Sequence, residues 1–422
     1  MAIIQSLLDN DLYKFRMQEA AWVLYPEAQV EYAFQCRTPG TELDAYAKAI
    51  NREIQKLGRL RLSAEELSYL GGLTGMRSDY LAMLADFRLR PQEQVQVTPC
   101  GEGLSIRVRG SWYETILYEV PILAIVNEVY QGHLYPSEAI SAPVTPVMEA
   151  ATYKAQSRQR LAYGQSQLEE KIERLREEPV TLIEMGTRRR YARLWQEQIL
   201  RRMKAALPEQ ALAGTSNVDL ARRLGLAPIG TMAHEWLQAH QALSPSLERS
   251  QRDALKAWMQ LYPFPARLAL TDVISRDAFL KDFTPELARH YAGVRQDSGD
   301  PYAWGEAMIA NYQRLGVDPQ QRTLVFSDSL DVPEAQSIAR AFQERANVAF
   351  GIGTNLTNDL DFKPLNSVMK LVRVNGQAVA KISDDPGKAI CEDQHFLDRL
   401  TDAFELERRS AQFPDACTIP AA

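Results

Sequence analysis

Hydrophobic positions follow two different rhythms along this chain. In the first part, Val30, Tyr32 and Phe34 alternate with polar or small neighbours, as do Val95 and Val97, and then Leu104, Ile106 and Val108. A period of two marks half-buried strands, and Cys100-Gly101-Glu102-Gly103 between the last two runs predicts a β-hairpin. A helix is expected from Tyr13 towards Trp22, capped by Asp9 or Asn10, and an apolar helix from about Tyr113 to Tyr130. Past residue 150 the rhythm changes to short apolar runs separated by helical segments. The runs are 180–185, 227–229, 267–270, 293–295, 323–326 and 347–350, each ending in a polar or Gly-rich turn. This alternation predicts βα units on a parallel sheet, either a TIM-like barrel or an open doubly wound sheet. Residues 366–385 break the pattern again. Val368, Leu371 and Val374 lead into Asn375-Gly376, then Val379, Lys381 and Ser383, the pattern of a second hairpin. A charged tail follows from about residue 392, read as a surface helix and a frayed end. The expected division is 1–140, an N-terminal α/β domain; 141–365, a (β/α) barrel catalytic domain; and 366–422, a hairpin and tail that can return to the first domain.

Composition narrows the class. Of 422 residues 45% are hydrophobic and 24% charged, which excludes a disordered or fibrous chain. Forty-eight Lys plus Arg against 54 Asp plus Glu give −6, so a dedicated nucleic-acid binder is not expected, although a local basic pocket is compatible. The four cysteines, Cys36, Cys100, Cys391 and Cys417, form no C-x-x-C pair; a reducing compartment without disulfide scaffolding is expected. The longest apolar stretch, 120–126, is too short to span a bilayer, and the start lacks a signal-peptide pattern, so a cytoplasmic protein is expected.

In parallel α/β folds the chemistry collects at the carboxyl ends of strands, so the turns after each run carry the functional reading. Met185-Gly186-Thr187-Arg188-Arg189-Arg190 is a candidate anion site, because a guanidinium donates two parallel hydrogen bonds to phosphate or carboxylate. Arg188 is read as functional; Arg189 and Arg190 are read equally as functional or as parts of a solvated helix start. Gly214-Thr215-Ser216-Asn217 is a donor-rich turn. Gly230-Thr231-Met232-Ala233-His234 puts one of five histidines just past a strand end, and Asp272 follows another. A carboxylate there could orient an imidazole and favour its charged form. Arg295 and Asp297 share one face of an extended stretch, suited to ribose hydroxyls or hydrated Mg²⁺, whereas Asp300 before Pro301 reads as a helix cap. Ser327-Asp328 and Gly351-Ile352-Gly353-Thr354 end the two late strands. The second has the composition of a phosphate cradle, since glycine lets a phosphate approach the backbone N–H groups. Together these predict a pocket for a phosphorylated sugar or nucleotide-like substrate with a further anionic group.

Seven motifs in order resemble the nicotinate phosphoribosyltransferase family: Asp11-Leu12-Tyr13-Lys14, Gly186 to Arg190, Gly214 to Asn217, Gly230 to Trp236, Arg295 to Asp300, Phe326-Ser327-Asp328 and Phe350 to Thr354. The resemblance runs from about residue 5 to 390. It implies an irregular (β/α) barrel joined to an α/β N-terminal domain. It also implies a reaction of nicotinate with 5-phosphoribosyl-1-pyrophosphate (PRPP), giving nicotinate mononucleotide and pyrophosphate in NAD salvage. Coupling to ATP hydrolysis through phosphorylation of His234, oriented by Asp272, is implied as well, with Mg²⁺ on the pyrophosphate. Gly353 and Thr354, helped by Ser327 and Asp328, would hold the 5′-phosphate, and Asp297 the ribose hydroxyls. Arg188, Thr231 and Arg295 would surround the nicotinate carboxylate or the pyrophosphate. Tyr13 would stack on the pyridine ring, supplied in trans by a head-to-tail homodimer. Met185 stands where the family usually has an aromatic, so its sulfur would be the second face of that stack. The rival readings are a nicotinamide phosphoribosyltransferase, a quinolinate enzyme and a catalytically silent nucleotide-binding regulator. Neutral Ser216 and Asn217 favour a carboxylate over an amide.

Overall fold

The computed structural model describes residues 2–101, 103–134, 150–385, 389–407 and 410. Among them no helix is long and apolar enough to cross a membrane. The strands form two sheets. The first is antiparallel and mixes both ends of the chain: β1 (Gln29–Cys36), β2 (Val95–Cys100), β3 (Gly103–Ser111), β10 (Ser367–Val374) and β11 (Gln377–Ala378), in the order β11-β10-β1-β3-β2. The alternating residues of β1 set its register, with Tyr32 opposite Val108 on one side and Phe34 opposite Met369 on the other. The hairpin of β2 and β3 pairs Cys100 with Gly103. At the β10–β11 turn Asn375 (φ 49°) and Gly376 (φ 80°) are both left-handed, which an Asn-Gly pair permits at little cost. Through β10 the chain after residue 366 returns to the first sheet and delivers Lys370 opposite Ala33.

The second sheet is parallel: β4 (Leu182–Glu184), β5 (Leu212–Thr215), β6 (Leu268–Leu270), β7 (Gly293–Gln296), β8 (Thr323–Phe326) and β9 (Asn347–Ile352), in the order β5-β4-β9-β8-β7-β6. The 227–229 run is not a full strand; it extends the β5 edge by one bridge, Thr215 to Pro228. Ile183, Val325 and Ala349 form a small core of their own, and Ala213 and Ile229 from one edge and Leu268 from the other pack against it. Residues from both edges therefore share one interior. No ladder among the described residues joins 227–229 to β6. The two edges meet through side chains at their carboxyl ends, where His234 bonds Asp272. The mixed α/β class and the N-terminal α/β unit are as expected; the second sheet has six parallel strands, and no ladder among the described residues closes them into the expected barrel.

The helix Leu12–Leu24 lies between the two sheets and is buried along most of its length. Neither Asp9 nor Asn10 caps it. Asp11 is the N-cap residue and its carboxylate accepts from the Ser216 hydroxyl (2.8 Å) instead, while Leu12 N–H bonds Ser216 O (2.9 Å). Arg16 adds a bond to Gly230 O (2.8 Å). The helix start is thus strapped to the turns after β5 and the 227–229 run. The apolar helix starts later than expected, at Glu119, because Pro121 lacks an N–H and is tolerated only in a first turn; residues before it form a short helix and a 3₁₀ turn. The helix Gln394–Ala403 buries Phe396, Leu397 and Leu400, so it is packed rather than a free surface helix. Cys36 and Cys391 are free thiols, whereas Cys100 is disulfide-bonded, contrary to the expectation from cysteine usage. Cys417 and the boundary at 140 lie outside the described residues.

One arginine of the triplet is wholly structural. Arg190 is buried and forks onto both oxygens of Asp9 (2.6 and 2.8 Å), with Nε on Glu128 (2.7 Å). Removing a partner from a buried ion cluster leaves uncompensated charge and costs about 3–5 kcal/mol. Arg190→Met should therefore unfold at markedly lower urea concentration, and an unchanged midpoint would show that Asp9 and Glu128 do not depend on it.

Candidate active site

All six strands of the second sheet are parallel, so their carboxyl ends face one side, and the pocket lies there. On β7 and just after it, Arg295 and Asp297 project together as their period-two spacing requires. Arg295 donates from Nη2 to Asp297 Oδ1 (3.1 Å) and from Nε to Ser327 Oγ (3.0 Å). Burial would raise the Asp297 carboxyl, yet Arg295 and then His234 hold it far below the usual carboxylate range.

His234 opens the helix His234–Leu243, 6% exposed, with Nε2 3.0 Å from Asp272 Oδ1 and 3.4 Å from Asp297 Oδ2. The other oxygen of Asp272 accepts from Ser298 Oγ and from Lys381 Nζ, both at 2.8 Å. Asp272 is thus held by Ser298 and Lys381 on one oxygen while the other meets the ring. No hydrogen bond engages Nδ1 of His234 among the described residues. The expected pull of Asp272 toward the charged imidazole is outweighed. Burial first, then Lys381, lowers its pKa to about 4 against the pull of Asp272 and Asp297, so the ring is neutral at pH 7.

The opposite wall carries alternating charge. Tyr13 at the start of the helix Leu12–Leu24 lines the same pocket as Arg188, His234, Arg295 and Asp297. Within the chain it is the N-terminal helix, held by Ser216 and Gly230, that brings Tyr13 to this pocket. Arg188 sits in the turn after β4 with Nη1 3.4 Å from Glu119 Oε1, and 38% of its side chain is exposed. Glu119, Glu235, Gln238 and Lys370 complete the wall. Burial first, and Lys381 second, lowers the Lys370 ammonium to about 7.

The end of β8 adjoins the pocket through Ser327, whose Oγ bonds Arg295 and Asp297, and β9 ends beside β4. At Gly351 a Cβ would stand 2.5 Å from Met185 Sδ, and at Gly353 3.0 Å from the Met185 carbonyl, so a larger residue at either position would have to displace Met185 or crowd β4. Met185 packs on Gly351 and the small core. After Gly353 the chain turns, with Leu356 and Thr357 N–H both bonding Gly353 O. The N–H groups of Thr354 and Asn355 precede that first turn and have no carbonyl within it. Asp328 N–H reaches Gln296 Oε1 at 3.4 Å, beside Ser327.

Four residues expected to bind substrate are engaged within the fold. Thr187 is fully buried, its hydroxyl accepting from Gln196 (3.1 Å) and Asn217 (3.3 Å). Ser216 is committed to Asp11. Thr231 is buried with its hydroxyl 3.5 Å from Met232 O. Gly186 serves packing, since a Cβ there would lie 2.1 Å from Thr357 Oγ1. The turn at Gly214 is equally spent inside the fold, Thr215 on Glu184 and Asn217 on Asp9. Conversely, Lys370, Lys381, Glu119 and Glu235 escaped the sequence reading. The available signal was a lysine at position 370 between the apolar residues Met369 and Leu371.

The sequence model of the nicotinate phosphoribosyltransferase (NAPRTase) family matches residues 180–408, and that of the family's N-terminal domain matches residues 8–127. The chain is 47% identical to a nicotinate phosphoribosyltransferase of Serratia proteamaculans and 45% identical to one of Escherichia coli O9:H4, in each case over 96% of both proteins. Among solved structures, that of a nicotinate phosphoribosyltransferase from Vibrio cholerae superposes with a TM-score of 0.86 at 38% identity, covering 96% of this chain and 94% of that one. One from Porphyromonas gingivalis gives 0.86 at 31%, covering 96% and 100%.

Proposed function

The chain belongs to the nicotinate phosphoribosyltransferase family, and from that premise we propose how its pocket joins nicotinate to PRPP and couples the step to ATP. The pyridine nitrogen forms a bond to C1 of the ribose as the C1–O bond to pyrophosphate breaks, giving nicotinate mononucleotide and pyrophosphate, a step of NAD salvage. Positive charge grows on the ribose and negative charge on the leaving group, with little proton transfer, so positioning and electrostatics carry the rate. Asp297 holds the ribose hydroxyls and faces the growing positive charge. Arg295 stands by the pyrophosphate, Arg188 takes the nicotinate carboxylate, and Tyr13 packs on the ring. The turn of Gly351, Gly353 and Thr354 receives the 5′-phosphate on its N–H groups, beside Ser327 and Asp328. Mg²⁺ arriving with PRPP would neutralise charge on the leaving pyrophosphate. A protein-only cage from His234, Asp272 and Asp297 does not fit it, because Lys381 and Arg295 already occupy those carboxylates.

The observation that carries ATP coupling is the His234–Asp272 pair, with Nδ1 open in the pocket that holds Arg188, Arg295 and Asp297. Asp272 keeps the proton on Nε2, so Nδ1 attacks the γ-phosphorus of ATP as the bond to ADP breaks. The proposal extends to a cytoplasmic homodimer with Tyr13 acting in its own subunit, and to a chain divided at 140 and 365. In the direct test, ADP and phosphate should form in step with nicotinate mononucleotide. A rate that is the same without ATP would leave the transferase and remove the coupling. Thr354→Glu should lose PRPP binding in calorimetry at least a hundredfold, since a carboxylate there repels the 5′-phosphate; unchanged affinity in the folded variant would move the phosphate site.

A further inference from the structure

Lys14 ends the Asp11-Leu12-Tyr13-Lys14 motif, yet nothing in the reaction as described uses it. Its side chain is 0% exposed, and an isolated buried ammonium is costly unless it is paired. The pairing is specific. Nζ lies 2.5 Å from Glu119 Oε2 and also bonds Glu235 Oε2. Glu235 is locked from its other oxygen by Tyr32 OH (3.0 Å) and Trp112 Nε1 (3.1 Å), so the lysine is anchored on a fixed carboxylate. Glu119 therefore has two cations, one on each oxygen: Lys14 closely on Oε2, and Arg188 loosely, at 3.4 Å, on Oε1.

This division has a consequence for Arg188. A carboxylate inside the pocket competes with any carboxylate that enters it, because both want the same planar fork of donors. Glu119 is also held ionised, its carboxyl kept low by Lys14, Arg188 and Lys370 against burial. Without a second cation Glu119 would draw Arg188 into a close pair, and an incoming anion would have to break it. With Lys14 on Oε2, Glu119 steadies Arg188 without consuming it.

We propose that Lys14 is a positioning residue that determines specificity: by taking the charge of Glu119 it leaves Arg188 available to the carboxylate on the incoming ring. The inference rests on the reading of Arg188 as the nicotinate-carboxylate group. Lys14 touches neither substrate, so its effect passes through Glu119 and belongs to one substrate only.

Steady-state kinetics of the full-length enzyme test this. Lys14→Met should raise the KM for nicotinate at least tenfold and leave the KM for PRPP within twofold. Adding Glu119→Gln to Lys14→Met should bring the nicotinate KM back to within about threefold of the parent, because the competitor for Arg188 has lost its charge. Should Lys14→Met fail to fold, Lys14→Met/Glu235→Gln removes the lysine together with its anchoring carboxylate; the same rise, and the same recovery on adding Glu119→Gln, are expected. Nicotinate and PRPP KM values that rise together, or no recovery with Glu119→Gln, overturn the proposal. Arg188→Gln measured alongside separates the two failures: if it leaves the nicotinate KM unchanged, the reading of Arg188 is at fault rather than the role of Lys14.

Discussion

Replacing Arg188 by Gln should lower kcat/KM for nicotinate by a factor on the order of 10² to 10³ while changing that for nicotinamide severalfold at most. The reason is charge. Losing one partner of a desolvated, hydrogen-bonded ion pair costs about 2–5 kcal/mol, and each 1.4 kcal/mol is tenfold. Nicotinamide offers no charge to the guanidinium, so it forfeits little. In the parent enzyme the same arithmetic predicts a strong preference for nicotinate. In the sequence this preference rests on Arg188 and Arg295 beside a neutral Gly214 turn, but Thr215, Ser216 and Asn217 are spent on Glu184, Asp11 and Asp9. The pocket itself contains carboxylates, Glu119 and Glu235, and selectivity must come from their neutralisation by Lys14 and from the exposed part of Arg188. Equal turnover of nicotinate and nicotinamide by the parent enzyme would overturn both the assignment of Arg188 and this account.

The sequence was most legible where a residue's role is set by its near neighbours. Asp300 before Pro301 reads as a cap, and its side chain accepts from Ala303 N–H at 2.6 Å. Asn375-Gly376 reads as a tight turn and is one. The runs 323–326 and 347–350 lie in β8 and β9, because a buried parallel strand is continuous in its apolar residues. Legibility failed where a side chain's partner is distant in sequence. Thr187 and Ser216 stand in turns that look exposed, but the N-terminal helix and Gln196 cover them. β5 was passed over as a turn because its four residues, Leu-Ala-Gly-Thr, carry no β-branched run. Lys370 and Lys381 come to the pocket only because β10 pairs with β1, a contact between the two ends of the chain that no local pattern encodes. The protonation of His234 depended on the same long-range event: Asp272 was visible, and the Lys381 that offsets it was not.

His234→Asn should keep the fold and basal phosphoribosyl transfer but abolish ATP hydrolysis and its stimulation of turnover. Incubated with radiolabelled ATP, the parent enzyme should carry an acid-labile, base-stable phosphate on His234, and the variant none. Only a neutral imidazole is nucleophilic, and here burial and Lys381 hold the pKa to about 4. The ring therefore stays neutral as pH falls from 8 through 5, and is charged only as pH approaches 4. ATP hydrolysis should accordingly show no loss from protonation of His234 near its ordinary value of about 6.5. The acid limb due to this residue should fall near 4. Asp272 sets which nitrogen reacts: with Nε2 bonded at 3.0 Å, phosphorylation is directed to Nδ1. The new phosphate brings about 1.5–2 negative charges beside Asp297, Arg188 and Arg295. Both arginines can then form charge-assisted bonds to it, and Arg295 would loosen its hold on Asp297 (3.1 Å) and Ser327 (3.0 Å). With Asp297 at the ribose and Ser327 at the 5′-phosphate, as proposed, the first effect of phosphorylation should be on PRPP affinity, measurable as a change in its KM with ATP present. If His234→Asn still hydrolyses ATP in step with product formation, the histidine only orders Asp272 and Asp297, and coupling lies elsewhere in the molecule.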